Sequence, residues 1–182
     1  MPLANPKRHI VVCLTGFMGC GKSTVARLLA RQAGWTHTDL DKRITEVTGL
    51  TIPEIFSGQG EPEFRRIEHE QLARVLGEAV EQQKPRIISL GGGTTAQPHN
   101  VALLREQGAV TVWLHCPIEE LLQRCAHITN RPLFRDEASF RKLYLERLPA
   151  YEQSDYRVES NIEPLRVVES ILALGFFPKV IA

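Results

Sequence analysis

No stretch of this sequence approaches the roughly 18 consecutive apolar residues that a membrane-spanning helix needs, and the opening MPLANPKRH lacks the apolar segment of a secretory signal. Neither export nor membrane insertion is therefore expected, and a soluble, cytoplasmic protein is. An excess of either charge is also missing: 22 Lys and Arg stand against 21 Asp and Glu, for a formal net charge of +1. That balance gives no reason to expect nucleic acid or a membrane surface as the main partner. Cysteine is scarce. Cys13, Cys20, Cys116 and Cys125 form no CxxC pair and no other zinc spacing. They read as small core or loop residues in a reducing compartment. Internal repeats, low-complexity tracts and linkers are absent too, so the 182 residues are expected to form one domain. A chain of that length buries about two-thirds of the surface of its unfolded form.

What the chain does have is GFMGCGKS at Gly16 to Ser23, which matches the phosphate-cradling pattern GxxxxGK(S/T). The preceding Ile10-Val11-Val12-Cys13-Leu14 is short, β-branched and apolar, as a buried parallel strand is. The following residues 24–33 place Val25, Leu28 and Leu29 on one helical face. Between strand and helix, Gly16, Gly19 and Gly21 allow a tight turn with inward N–H groups, and the helix N-terminus adds partial positive charge. Lys22 is placed to reach the β- and γ-phosphates of a nucleotide and Ser23 to ligate Mg²⁺. Arginine outnumbers lysine sixteen to six, a bias that suits bidentate recognition of carboxylates and phosphates.

Strands and helices then alternate. Gly34 caps the first helix, residues 35–39 form a second strand, and a helix runs to about Thr48. Residues 51–56 start a helical stretch with Pro53 in its first turn, and a long amphipathic helix covers about 61–80, with Leu72, Val75, Leu76 and Ala79 on one face. Strands are expected at 86–90, 109–116 and 156–159, and helices at 100–107, after Pro117, at 139–151 and at 164–174. The apolar period disappears over HITNRPLFRDEA, residues 127–138, which reads as an exposed loop. This order argues for a parallel sheet covered by helices on both faces.

Four further groups bear on the substrate. Asp39 and Asp41 stand at the end of the second strand, where an open α/β sheet meets its ligand; one carboxylate could hold the water shell of Mg²⁺ while the other accepts a hydrogen bond from a substrate hydroxyl. Their plainer reading is a helix N-cap and a first-turn charge. Arg65 and Arg66 follow Gly60, and such a pair is usually a solvated helix face. Gly91, Gly92 and Gly93 follow a strand and expose backbone N–H groups to an oxygen-rich ligand. Arg124, Arg131, Arg135, Arg141 and Arg147 surround the 127–138 loop, where phosphoryl transfer needs cations on a closing segment.

Taken in order, GFMGCGKST, DLD, FRRIE at 64–68, SLGGGT at 89–94, RPLF at 131–134 and ERLPAYEQ at 146–153 resemble shikimate kinase over nearly the whole chain. The resemblance implies a three-layer P-loop NTPase fold of the nucleoside-monophosphate-kinase kind, with a five-stranded parallel sheet. The core would cover about 10–174, the lid about 127–138 and the substrate-binding helices about 41–80. It implies phosphoryl transfer from ATP to the 3-hydroxyl of shikimate by a monomer. Asp41 matches the aspartate at the accepting hydroxyl, Arg65 and Arg147 the arginines on the carboxylate, and Gly91, Gly92 and Gly93 the substrate-site triplet. Gly19, Cys20, Gly21, Lys22, Ser23 and Thr24 match the ATP loop. Arg131 matches the lid arginine, and Arg124 with Pro164 the pair flanking adenine. Mg²⁺ would be held by Ser23 and, through water, by Asp39 and Ser89. Thr45 stands where many relatives carry an acid, Asn161-Ile162-Glu163 lacks a basic residue found in some, and His37, His69, His115 and His127 match no family role. A kinase for another polyol or acid such as gluconate, and a nucleotide-binding module without turnover, are the competing readings.

Overall fold

The apolar segment at the start of the described chain forms β1 (Val11–Thr15), five consecutive buried residues in the middle of a sheet. A strand covered on both faces needs no polar alternation, which is why its sequence is continuously apolar. β2 (Thr36–Asp39), β3 (Arg86–Ser89), β4 (Val110–His115) and β5 (Tyr156–Glu159) complete five strands in the order β2-β3-β1-β4-β5. Every pairing is parallel. The computed structural model describes residues 11–126 and 136–177.

Parallel neighbours need crossover connections, and helices supply them. These are α1 (Lys22–Ala33), α2 (Leu40–Thr48), α3 (Ile52–Glu81), α4 (Pro98–Glu106), α5 (Ile118–Cys125), α6 (Glu137–Tyr151) and α7 (Pro164–Leu172). One apolar cluster joins Val12, Leu14 and Val112 of the sheet to Leu29 of α1, Leu121 of α5, Phe140 of α6 and Ile171 of α7. A second joins Val11, Cys13 and Ile88 to Ile44 of α2, Leu72 and Leu76 of α3, and Leu104 of α4. Alternate residues of β1 thus serve opposite faces, and the molecule is a helix–sheet–helix sandwich as expected. All four cysteines are buried and free, as core and loop residues. Among the described residues no helix is long and apolar enough to cross a membrane.

Several boundaries differ from the expected ones for identifiable reasons. The helical stretches expected at 51–56 and 61–80 join into α3, with a kink at Gly60, whose φ of 84° and ψ of 167° are not helical. Pro62 follows the kink at a point where the helix has already lost its regular hydrogen bonding. A short 3₁₀ turn over Thr94–Ala96 follows the glycine triplet. α6 starts two residues earlier than expected because Asp136 accepts a hydrogen bond from Ser139 N at 2.8 Å and caps it. The loop expected at 127–138 therefore loses its last two residues to a helix, and residues 127–135 lie outside the described ones.

Candidate active site

Parallel register brings the carboxyl ends of β1, β2 and β3 to one edge, with Leu14 beside Ser89 and Ser89 beside Asp39. The loop from Gly16 to Ser23 leaves β1 at this edge and enters α1. Gly16, Gly19 and Gly21 have φ of 140°, 84° and 93°, where side chains are rarely tolerated. Space is short as well: a Cβ on Gly16 would lie 2.7 Å from Leu114 O, and one on Gly19 2.7 Å from Cys125 Sγ. Cys20 is buried within the loop, while Thr24 faces solvent in the first turn of α1. Lys22 Nζ donates to Gly16 O at 2.7 Å and Phe17 O at 3.0 Å, so its ammonium is folded back onto the loop. A turn of this shape opening a helix binds anions.

Beside it lies an oxygen cluster. Ser23 Oγ donates to Asp39 Oδ2 at 2.6 Å, Ser89 Oγ donates to the same oxygen at 2.9 Å, and Lys42 N donates to Asp39 Oδ1 at 3.1 Å. Burial pushes the Asp39 pKa up, but the hydrogen bonds from Ser23, Lys42 N and Ser89 outweigh it and hold the carboxyl below the usual carboxylate range. Asp39 is thus both the α2 cap and part of the cluster, so the two readings of its role are compatible. Hydroxyl and carboxylate oxygens suit a hard cation. One carboxylate and two hydroxyls fit Mg²⁺, which takes few protein ligands and completes its shell with water and phosphate oxygens.

The glycine triplet after β3 gathers the remaining groups. A Cβ on Gly91 would lie 3.0 Å from Asp41 Oδ1 and 3.0 Å from Glu68 Oε1; on Gly92, 3.2 Å from Arg147 Nη1; on Gly93, 2.6 Å from Arg65 Nη2. One carboxylate from α2 and guanidinium groups from α3 and α6 therefore surround three residues of bare backbone. Arg65 donates to Glu68 Oε2 at 2.8 Å and to Glu61 Oε1 at 3.1 Å. Burial lowers the Arg65 pKa, yet the Glu68 carboxylate and its hydrogen bond, then Glu61, raise it overall and keep the group charged. Arg147 is buried, with its guanidinium carbon 5.8 Å from the Phe17 ring centroid. The Tyr151 hydroxyl donates to Gly92 O.

Of the other arginines, Arg66 pairs with Glu63 and Glu70 on the exposed face of α3, as a solvated residue does. Arg141 is likewise tied to Glu119 and Glu137 at the surface. Arg124 donates to Gly19 O and Ser160 O, both at 3.3 Å, and so links the phosphate loop to the segment preceding Pro164 of α7. Arg131 and Arg135 lie outside the described residues.

A family model described as shikimate kinase matches residues 18–174. The chain belongs to the shikimate kinase family. It is 38% identical over 177 residues to the shikimate kinase of Synechococcus elongatus, covering 94% of this chain and 90% of that one. Against the Geobacter metallireducens shikimate kinase it is 40% identical over 153 residues, 82% of each chain. Its fold superposes with a TM-score of 0.81 on the Acinetobacter baumannii shikimate kinase in complex with shikimate, at 34% identity over 94% of this chain and 96% of that one.

Membership of the shikimate kinase family rests on motifs that sequence reading can see, but the structure adds residues it did not assign. Glu68 is fully buried and bonds both Arg65 and, at 2.6 Å, the Thr94 hydroxyl. Its signals in the sequence were its place at the end of FRRIE and its position three residues after an arginine on the apolar side of a helix. Asn100 donates to Thr94 O at 3.1 Å and meets His69 Nδ1 at 2.7 Å, bracing the turn behind the triplet. His37 Nε2 lies 3.1 Å from Ser89 Oγ.

Proposed function

We propose that this protein transfers the γ-phosphoryl group of ATP to the 3-hydroxyl of shikimate, giving shikimate 3-phosphate and ADP, a step of chorismate and aromatic amino acid biosynthesis. The observation that carries the reading is the enclosure of Gly91, Gly92 and Gly93 by the Asp41 carboxylate and the Arg65 and Arg147 guanidinium groups. Such a site takes an acceptor with a carboxylate at one end and hydroxyls at the other. Arg65 and Arg147 bind the carboxylate as charged donors. Backbone N–H groups of the triplet face the ring oxygens, and the Asp41 carboxylate accepts a hydrogen bond from the attacking hydroxyl. A gluconate kinase also binds an acid, but an open polyol chain does not require two rigid guanidinium groups against one backbone triplet.

At the donor end, N–H groups of Gly19, Cys20, Gly21, Lys22, Ser23 and Thr24 cradle the phosphates, and the Lys22 ammonium moves from the loop carbonyls onto phosphate oxygens. Arg124 and Pro164 flank the adenine. Arg131, which lies outside the described residues, matches the family's lid arginine and would bring a further cation to the phosphates. Ser23 and, through water, Asp39 and Ser89 would hold Mg²⁺, which would supply positive charge at the phosphates. Transfer through a loose transition state needs this positioning and charge, with no covalent step by the protein. We place the enzyme in the cytoplasm as a monomer with neither nucleic acid nor membrane as partner. The test is ADP release with shikimate, quinate, gluconate or no acceptor. Turnover should be greatest with shikimate and near background with gluconate; the reverse order would discard the reading.

A further inference from the structure

The β2 residue His37 has no part in the roles assigned above, yet it reaches the cation cluster. His37 Nε2 is 3.1 Å from Ser89 Oγ, and Ser89 Oγ donates to Asp39 Oδ2 at 2.9 Å. A serine hydroxyl has one proton. Asp39, with the Ser23 hydroxyl, the Ser89 hydroxyl and Lys42 N all pointing at it, is an acceptor on every side. The Ser89 proton is therefore committed to Asp39, and the contact with the imidazole can be made only by an Nε2–H donor. Nε2 carries that proton whether the ring is neutral or charged.

We propose that His37 is a positioning residue for the cation site: by donating to Ser89 Oγ it locks the hydroxyl rotor so that Ser89 donates to Asp39 and keeps its remaining lone pair for a metal-bound water. The proposal rests on Ser89 and Asp39 holding Mg²⁺ as described above. Two serines, Ser23 and Ser89, bond the same carboxylate oxygen. Only the Ser23 hydroxyl must leave to become a metal ligand, so an arrangement that keeps Ser89 in place as Ser23 departs preserves the orientation of Asp39. Without the imidazole, Ser89 rotates freely between Asp39 and other acceptors, and the cation meets a disordered second partner.

The measurements are the His37 tautomer from long-range ¹⁵N–¹H spectra of the metal-free protein, and Mn²⁺ affinity for the enzyme–ADP complex by electron paramagnetic resonance. The second is made on wild type, His37→Leu, His37→Gln, Ser89→Ala and the Leu/Ala double variant. The expected tautomer is Nε2–H. His37→Leu should weaken Mn²⁺ about three- to tenfold, the range for one lost hydrogen bond, without changing the KM for the acceptor. His37→Gln restores an N–H at a similar reach and should stay within about twofold of wild type. In the Ser89→Ala background, His37→Leu should add nothing, because the coupling runs through that hydroxyl. An Nδ1–H tautomer, or a Leu effect that persists without Ser89, overturns the proposal even if the variants fold poorly. If Ser89→Ala weakens Mn²⁺ and His37→Leu does not, the positioning link alone is wrong; if Ser89→Ala has no effect, the cation reading falls and this inference with it.

Discussion

A methyl group at Gly93 would sit 2.6 Å from Arg65 Nη2, although Gly93 itself has an ordinary φ of −111°. Space around the guanidinium, rather than backbone torsion, demands glycine here. Gly93→Ala should therefore displace Arg65 and raise the acceptor KM about tenfold while ATP affinity changes little, and it should lower the melting temperature to the extent that the Arg65–Glu68 pair is disturbed, as measured by steady-state kinetics and melting. Removing the arginines is not equivalent at the two positions. Arg147→Ala deletes charged hydrogen bonds worth roughly 1.5–3 kcal/mol, so acceptor affinity should fall about ten- to a hundredfold with ATP binding retained. Arg65→Ala also leaves fully buried Glu68 without its cation and should destabilise the fold as well. Arg65→Lys separates the two, keeping charge but losing the fork. Asp39 adds a pH dependence. Its folded pKa is depressed, so its contribution to stability is present above the unfolded carboxylate value and is lost as pH falls through the folded one. Urea midpoints of wild type and Asp39→Asn should differ near pH 6 and converge as the solution is acidified towards pH 3. A constant difference would show that the carboxylate charge is irrelevant to folding.

Elements whose partners are close in sequence were the ones legible in it. β1, the glycine loop and α1 follow from a continuous apolar run, three glycines and a 3.6-residue apolar period, all within about two dozen residues. The kink of α3 was visible as a break between two helical stretches because Gly60 and Pro62 both interrupt the pattern. The residues that hold the site were harder to see. Glu68 meets Thr94 from 26 positions away, Asn100 meets His69 from 31, and Ser89 meets His37 from 52. No local pattern encodes such pairs; parallel crossovers create them. The start of α6 is an intermediate case, since Asp136 three residues before Ser139 is an N-cap signal that loop-like composition had masked. Asp136→Ala should cost about 1 kcal/mol and fray the first turn. Amide hydrogen exchange at Ser139 should accelerate while exchange near Arg147, about two turns farther along α6, stays slow.

At the scale of the molecule, the acceptor site draws on both layers of the sandwich. Asp41 and Arg65 come from α2 and α3, which pack on one face of the sheet, Arg147 from α6 on the other, and the triplet from the sheet edge between them. Partly buried Arg65 and buried Arg147 thus lie beside bare backbone just after β3, where the sheet offers no side chain. A ligand spanning these groups exists only on the intact fold, so its binding energy appears as global stability and not as local ordering. Shikimate at about 100 times its dissociation constant should add about 2.7 kcal/mol, which for a chain of this size raises the melting temperature by about 5–10 °C. The shift should shrink markedly in Arg147→Ala at the same concentration, since the free ligand then stands nearer its dissociation constant. Gluconate should give almost none. Calorimetry with each acid, in the absence of nucleotide, makes the comparison independent of turnover. Equal shifts from the two acids would mean that the guanidinium pair reads only negative charge, and that selectivity for the ring must arise after ATP binds.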